Sequence, residues 1–426
     1  MKQRSIRLTV SSVIRDLAFL LILLWLVNPQ TKFKQYYNWN IYGILLAAWI
    51  VFAILADIKA FKESLIADHM LLIWLWPIYL LIAAYFGHAE FSVKQMTTPF
   101  IFTFFSYYCV TERKKLLKPC LLASMIYVVI ITINTFILNQ NNSQVSRILA
   151  HGDVDETYGL SSPFLADMRF IYALVALTIV AVGLFKISNV AVGWKIVFIA
   201  FWAWTLILYV NVQYVIAIVT VSIISAILLI LVEKRYKPFN GRPTVNLKRF
   251  LVFSSIMLVL IIVFVNYPSI LVFLYDNVAE ENIKMKLQEI INATTNSQGA
   301  FSLERVQLYS TSIGTFFSGI RNFFFGVGFD ADISLIGQHS SLFDTFGRYG
   351  LIGGIPWITG IVVAWNHIRK YLSLSFRRIY RLIMTAYVVE LVLNPVYSDL
   401  IILFFFFLAP TFLDVFSLNK KTESGN

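Results

Sequence analysis

VQYVIAIVTVSIISAILLILV, Val212 to Val232, contains no charged residue, and Glu233, Lys234, Arg235, Tyr236 and Lys237 follow it directly. As an α-helix, a run of that length reaches about 30 Å, the thickness of a bilayer's hydrocarbon core. The basic residues at its end mark the side of the membrane on which it stops. Working outward, similar runs recur through the chain, and the charges collect between them. The pattern predicts spans near 12–28, 41–56, 70–87, 96–110, 117–138, 169–186, 194–210, 212–232, 250–267, 349–366, 380–395 and 397–414. The chain is 426 residues long and 58% apolar, above the roughly 45–50% of soluble domains. The expected fold is therefore all-α and polytopic, with about a dozen transmembrane helices. Residues 1–426 form one integral membrane unit.

The net charge of +12 invites a nucleic-acid reading, and its placement argues against one. The densest clusters are Arg113, Lys114, Lys115 and Lys118; then Lys234, Arg235, Lys237, Arg242, Lys248 and Arg249; then Arg369, Lys370, Arg377, Arg378 and Arg381. With the N-terminus inside, all three fall in cytoplasmic segments, as the positive-inside rule requires. The charge thus encodes topology and contact with the lipid bilayer, with both termini cytoplasmic. Leu17 to Val27 is similar to a signal-peptide core. Asn28-Pro29-Gln30 follows it without a small-residue cleavage site, so a retained helix is expected. Cys109 and Cys120 flank a cytoplasmic loop and imply neither a disulfide nor a metal site.

Two outward connections are long, at 139–168 and 268–348, and long loops in compact proteins tend to be functional. The second is predicted to hold two helices. Residues 278–291 place Val278, Ile283, Leu287, Ile290 and Ile291 on one face. A second helix near 303–320, with Ser302 as N-cap and Glu304 in its first turn, puts Val306, Ile313, Phe317 and Ile320 along one side. These helices either lie on the membrane surface or cap a cavity between the spans.

Of five histidines, His69 and His367 are expected to face the cytoplasm. His88 and His151 fall in outward loops. His339, in QHSSLFDTFGRYGLIGG, lies just before span ten; it is either a structural imidazole or a base. The outward arginines are Arg147, Arg169, Arg305, Arg321 and Arg348. Arg169 and Arg348 stand at span mouths, where snorkelling explains them equally well. Arg305 opens a predicted helix, where the dipole and free N–H groups also favour an anion, and a guanidinium fork suits a phosphate oxygen pair; alternatively it pairs with Glu304 or Asp332. Asp330-Ala331-Asp332 reads as a metal-binding acid pair or as a turn at the membrane surface. No Cys/His cluster or Walker loop accompanies it, so neither metal nor cofactor is expected. Glu390 falls inside span eleven and should face the bundle interior.

Residues 301–354 resemble the superfamily of bacterial O-antigen polymerases and ligases. The resemblance rests on Arg305 in SLERVQLYS, Gly326-Val327-Gly328 in NFFFGVGFD, His339 in QHSSLF, and Gly350-Leu351-Ile352-Gly353, in that order. GLSSPFLA (159–166) echoes a further segment. Two motifs are missing. The short outer turn Asn211-Val212-Gln213-Tyr214 lacks the Ser-Arg of many ligases. The paired R-x10-G motif of some polymerases is also absent, since position 316 is Phe and Arg147 reaches Gly159 one residue late. The resemblance implies glycan transfer from undecaprenyl diphosphate at the outer face of a bacterial plasma membrane. It implies His339 as base and Arg305 as diphosphate contact, with Arg147 or Arg169 as a second contact. Tyr309, Asp344 and Arg348 stand close to these positions in sequence. Its implied partners are a lipid-linked glycan donor and acceptor, a chain-length regulator and a flippase. A polymerase is the first reading, because the ligase Ser-Arg is missing. A ligase acting on lipid A core or protein is the second. A lipid-sugar-dependent glycosyltransferase is disfavoured by a first outer loop without acids. A transporter or flippase is the alternative of another class, with Glu390 as its one intramembrane acid.

Overall fold

The computed structural model describes residues 10–29, 39–66, 68–89, 97–110, 114–141, 164–187, 190–212, 214–231, 272–278, scattered positions within 281–291, 304–329, 331–332, 334–395 and 398–415. These residues contain no strand. They form α1 (Val10–Val27), α2 (Trp39–Ile66), α3 (Asp68–Tyr85), α4 (Thr97–Phe105), α5 (Lys114–Asn141), α6 (Met168–Lys186), α7 (Val192–Asn211) and α8 (Val215–Leu231). After the long connection come α9 (Glu304–Phe317), α10 (Ile320–Phe325), α11 (Ser341–Tyr371), α12 (Leu374–Leu393), α13 (Asp399–Leu403) and α14 (Ala409–Val415). A single π-helical turn continues α4 over Ser106–Val110, and another joins α13 to α14 over Phe404–Leu408.

Among the described residues, six helices are long and apolar enough to cross a membrane: α1, α2, α5, α6, α7 and α11. Met70–Tyr85 and Val215–Ile230 are apolar but shorter. The chain is thus an all-helical, multi-pass membrane protein. Helices also stand at the remaining expected span positions, except 250–267, which lies outside the described residues.

Helix α6 is the central post. Phe170 through Leu184 are all buried, because α7, α8, α12, α13 and α14 surround it. Helices α2 and α3 are peripheral. On α3, Leu71, Leu75, Ile78 and Ile82 are exposed at i, i+4, i+7 and i+11, an apolar stripe that suits lipid. Helix α3 packs its other side on α11.

Two charged sites inside this bundle are partnered. Arg15, 2% exposed, forms an ion pair with Asp16 at 2.6 Å and donates to the Tyr107 hydroxyl at 3.2 Å. Tyr108 donates to Asp16 at 3.2 Å and accepts from Trp49 Nε1 at 3.1 Å. An uncompensated guanidinium would be very costly there; paired and hydrogen-bonded, it can be held. Glu390 faces the interior, as expected, and its Oε2 accepts from Asn394 Nδ2 at 2.7 Å. Cys109 and Cys120 are buried and form no disulfide with each other.

Candidate functional site

The site region begins where α11 breaks. Gly350 has φ 60° and ψ −160° inside an otherwise continuous helix, so the carbonyls just before it lose their ordinary i+4 donors. Other peptides replace them. Val327 N donates to Gly347 O at 3.1 Å, and Gly328 N donates to Arg348 O at 2.9 Å. The Tyr79 hydroxyl donates to Tyr349 O at 3.4 Å. The Gly326-Val327-Gly328 turn thereby docks against the break in α11.

The approach is close enough to demand glycine. A Cβ on Gly326 would stand 2.2 Å from the Arg348 carbonyl, and one on Gly350 would stand 2.4 Å from that of Phe324. Both residues also have positive φ, which L side chains adopt at a cost. Arg348 secures the turn further: its Nη1 donates to Phe329 O, and its guanidinium lies 5.9 Å from the Phe329 ring centre.

Upstream of α11, residues 334–340 are packed between α9 and α11. Ser312 Oγ donates to Asp344 Oδ1 at 2.6 Å and accepts from Gly337 N at 3.0 Å. Asp344 Oδ2 accepts from Ser340 N at 3.1 Å, while Ser340 Oγ accepts from Phe343 N at 3.3 Å. This is a reciprocal helix cap that satisfies orphan N–H groups at the start of α11. The end of α12 closes the other side: Ser341 N donates to Asn394 O at 3.0 Å, and Tyr309 donates to Leu393 O at 2.9 Å. Asp344 lies within electrostatic reach of both Arg348 and His339.

His339 sits in this frame, half-buried. Its Nδ1 lies 2.8 Å from Gly337 O. A carbonyl only accepts, so Nδ1 carries a proton in this contact. The turn that arranges this passes through Gln338 at φ 56°, the only non-glycine positive φ among the described residues. A backbone turn therefore fixes the direction of the Nδ1–H bond.

The remaining expected site residues divide. Arg305 falls in the first turn of α9, one turn before Tyr309; its side chain lies outside the described residues, as do Arg147, Asp330 and the expected cap Ser302. Arg169 stands in the first turn of α6, after the N-cap Asp167. Among the described residues no hydrogen bond or ion pair links it to His339, Arg348 or α9. Asp332 shapes a turn: its Oδ1 accepts from Ser334 N at 2.8 Å and from the Ser334 hydroxyl. These bonds, the hydroxyl's first, hold its carboxyl below the usual range.

One expectation needs correction. The second loop helix does not run through to residue 320 but ends at Phe317, and Ile320 opens α10. Of the two arrangements left open for it, its apolar side agrees with the one on the membrane surface. Ile313, Phe317 and Ile320 are exposed, whereas Ser312 and Thr315 are buried, because hydroxyls are what the polar 334–340 segment and Asp344 can use. His88 is likewise more than a loop residue. Its Nε2 donates to Phe325 O at 2.8 Å, and its carbonyl accepts from Phe329 N at 3.1 Å, clamping the end of α3 to the glycine turn. Sequence reasoning missed Ser312, Gly337, Tyr79 and Asn394. The hydroxyl-rich run YSTSIGT was the one available signal. No protein-family model and no curated protein matches the chain.

Proposed function

We propose that the protein is a polysaccharide polymerase that joins undecaprenyl-diphosphate-linked repeat units, working at the outer face of a bacterial plasma membrane with both termini in the cytoplasm. The observation that carries this reading is the contact of His339 Nδ1 with Gly337 O at 2.8 Å, which in a neutral imidazole leaves Nε2 as the proton acceptor. The resemblance of residues 301–354 to the polymerase and ligase superfamily supplies the reaction.

An acceptor sugar hydroxyl attacks the anomeric carbon of the donor glycan. The new C–O bond forms as the bond to the lipid diphosphate breaks, and the hydroxyl proton passes to His339 Nε2. The leaving diphosphate gathers negative charge. Arg305, on the first turn of α9, meets it with a guanidinium and with the positive end of the helix dipole. Asp344 accepts from Ser340 N at 3.1 Å and so fixes the backbone beside His339.

The test is purified protein acting on lipid-linked repeat units. His339→Ala should slow polymer formation by about 10²–10⁴-fold, the usual contribution of a positioned base, while inserting normally. Wild-type rates from His339→Ala would end the assignment. In a deletion strain, single repeat units left on lipid carrier or core support a polymerase. Full-length polymer stranded on the lipid carrier points instead to a ligase.

A further inference from the structure

Helix α2 breaks at Asp57, where φ −166° and ψ 88° leave the helix. Asp57 Oδ1 accepts from Ala60 N at 3.0 Å, so a new segment starts there with its own N-cap. In this segment Ala60, Phe61 and Ser64 turn inward and are buried. Lys59, Lys62 and Glu63 turn outward, and with Ile66 they line a cavity of about 490 Å³. Its four lining residues belong to one helix, and it is open to its surroundings. Among the described residues, neither ammonium has a carboxylate within ion-pair distance.

The surroundings of the cavity are apolar. Leu55, Ile58 and Ile66 are 65%, 66% and 51% exposed. Leu55 and Ile58 continue the exposed stripe of Ile44 and Val51 along α2, which is long and apolar enough over Asn40–Ile66 to cross a membrane. We infer that Lys59 and Lys62 bind the phosphate of an anionic glycerophospholipid, with its acyl chains against Leu55, Ile58 and Ile66. A free phosphate in water would have no use for that rim; a lipid brings both charge and chains to it. Lysine suits the ligand, since a compact ammonium on a long apolar stem reaches a phosphodiester from the edge of the hydrocarbon. Glu63 reduces the net charge of the cavity and tempers affinity. The inference does not depend on the polymerase reading.

Native mass spectrometry of the purified full-length protein, titrated with dioleoyl phosphatidylglycerol or dioleoyl phosphatidylcholine, tests it. The Lys59→Gln/Lys62→Gln variant should lose phosphatidylglycerol affinity by about ten-fold or more, given the attraction that each lysine near an anionic surface provides. Glu63→Gln should raise it. Arg321→Gln, which removes an exposed cation outside the basic clusters, should leave it unchanged. The site is overturned if the lysine pair variant binds as wild type, or if the control variant loses as much. Equal binding of phosphatidylcholine would also overturn it. Displacement of the lipid by millimolar inorganic phosphate would show a soluble anion site in its place.

Discussion

Around Gly326 and Gly350 main chain meets main chain; around Phe19, ring meets ring. Phe19 stacks on Tyr108 with centroids 4.1 Å apart and meets Phe104 and Phe407 edge-on at 5.2 and 5.7 Å. Such a cluster is held by volume, and neighbouring rings can adjust when one of them changes. The glycine turn and the break in α11 are held by peptide hydrogen bonds at 2.9 and 3.1 Å, and they cannot adjust, since the atoms in contact belong to two backbones. The proposed chemistry stands beside the second kind of packing. Precision there comes from glycines that leave no side chain to move.

The largest effect should come from putting a methyl group into the turn. Gly326→Ala places a Cβ on a carbonyl at a positive φ and should cost about 4 kcal/mol or more, strain and clash combined. Thermal melting of the purified protein measures it. Gly43→Ala is the control, because nothing lies within 4 Å of its Cβ. Equal melting of the two variants would remove the distinction between the regions.

Arg305→Lys keeps the charge and loses the fork. It should lower polymer formation by about ten-fold or more at an unchanged amount of membrane protein. Normal polymer from this variant and from Arg305→Ala would reduce the residue to a surface charge. Phe19→Leu should cost about 1.5 kcal/mol or less, the usual penalty of an apolar exchange that neighbours can absorb. A loss as large as that of Gly326→Ala would show that the ring cluster is as unyielding as the glycine turn. The smallest effect belongs to His88→Ala, which deletes one imidazole-to-carbonyl hydrogen bond and should cost about 0.5–1.5 kcal/mol. It should leave the pH dependence of polymer formation unchanged; a changed profile would bring His88 into the chemistry.

The helices were legible from sequence because hydropathy over about 20 residues is a strong signal for a segment that must satisfy its own backbone in lipid. The π-helical turns at Ser106–Val110 and Phe404–Leu408 left no mark in composition. Pairing was not legible either: Arg15 and Asp16 read as two charges in a span, and only the fold brings Tyr107 and Tyr108 to them. The periodicity of α9 gave the right stripe and no direction. In water an apolar stripe points inward, but beside a membrane it can point either way, and Ser312 and Thr315 took the inside. His339 stood out by its position before span ten. Its bond to Gly337 did not, because a positive φ at a glutamine has no sequence signature.

The break at Gly350 also bears on how such a protein changes by descent. Peptide groups are the same in every chain, so the hydrogen bonds from Val327 and Gly328 to Gly347 and Arg348 carry almost no information about residue identity. Substitutions can accumulate on both sides of that joint while its geometry stays fixed, provided that glycine remains at 326 and 350, where a Cβ would strike backbone. Two descendants of one ancestor could share this joint in full and agree at few other letters around it. The lasting trace of their kinship would then be a spacing of glycines and the hydropathy of the helices behind them.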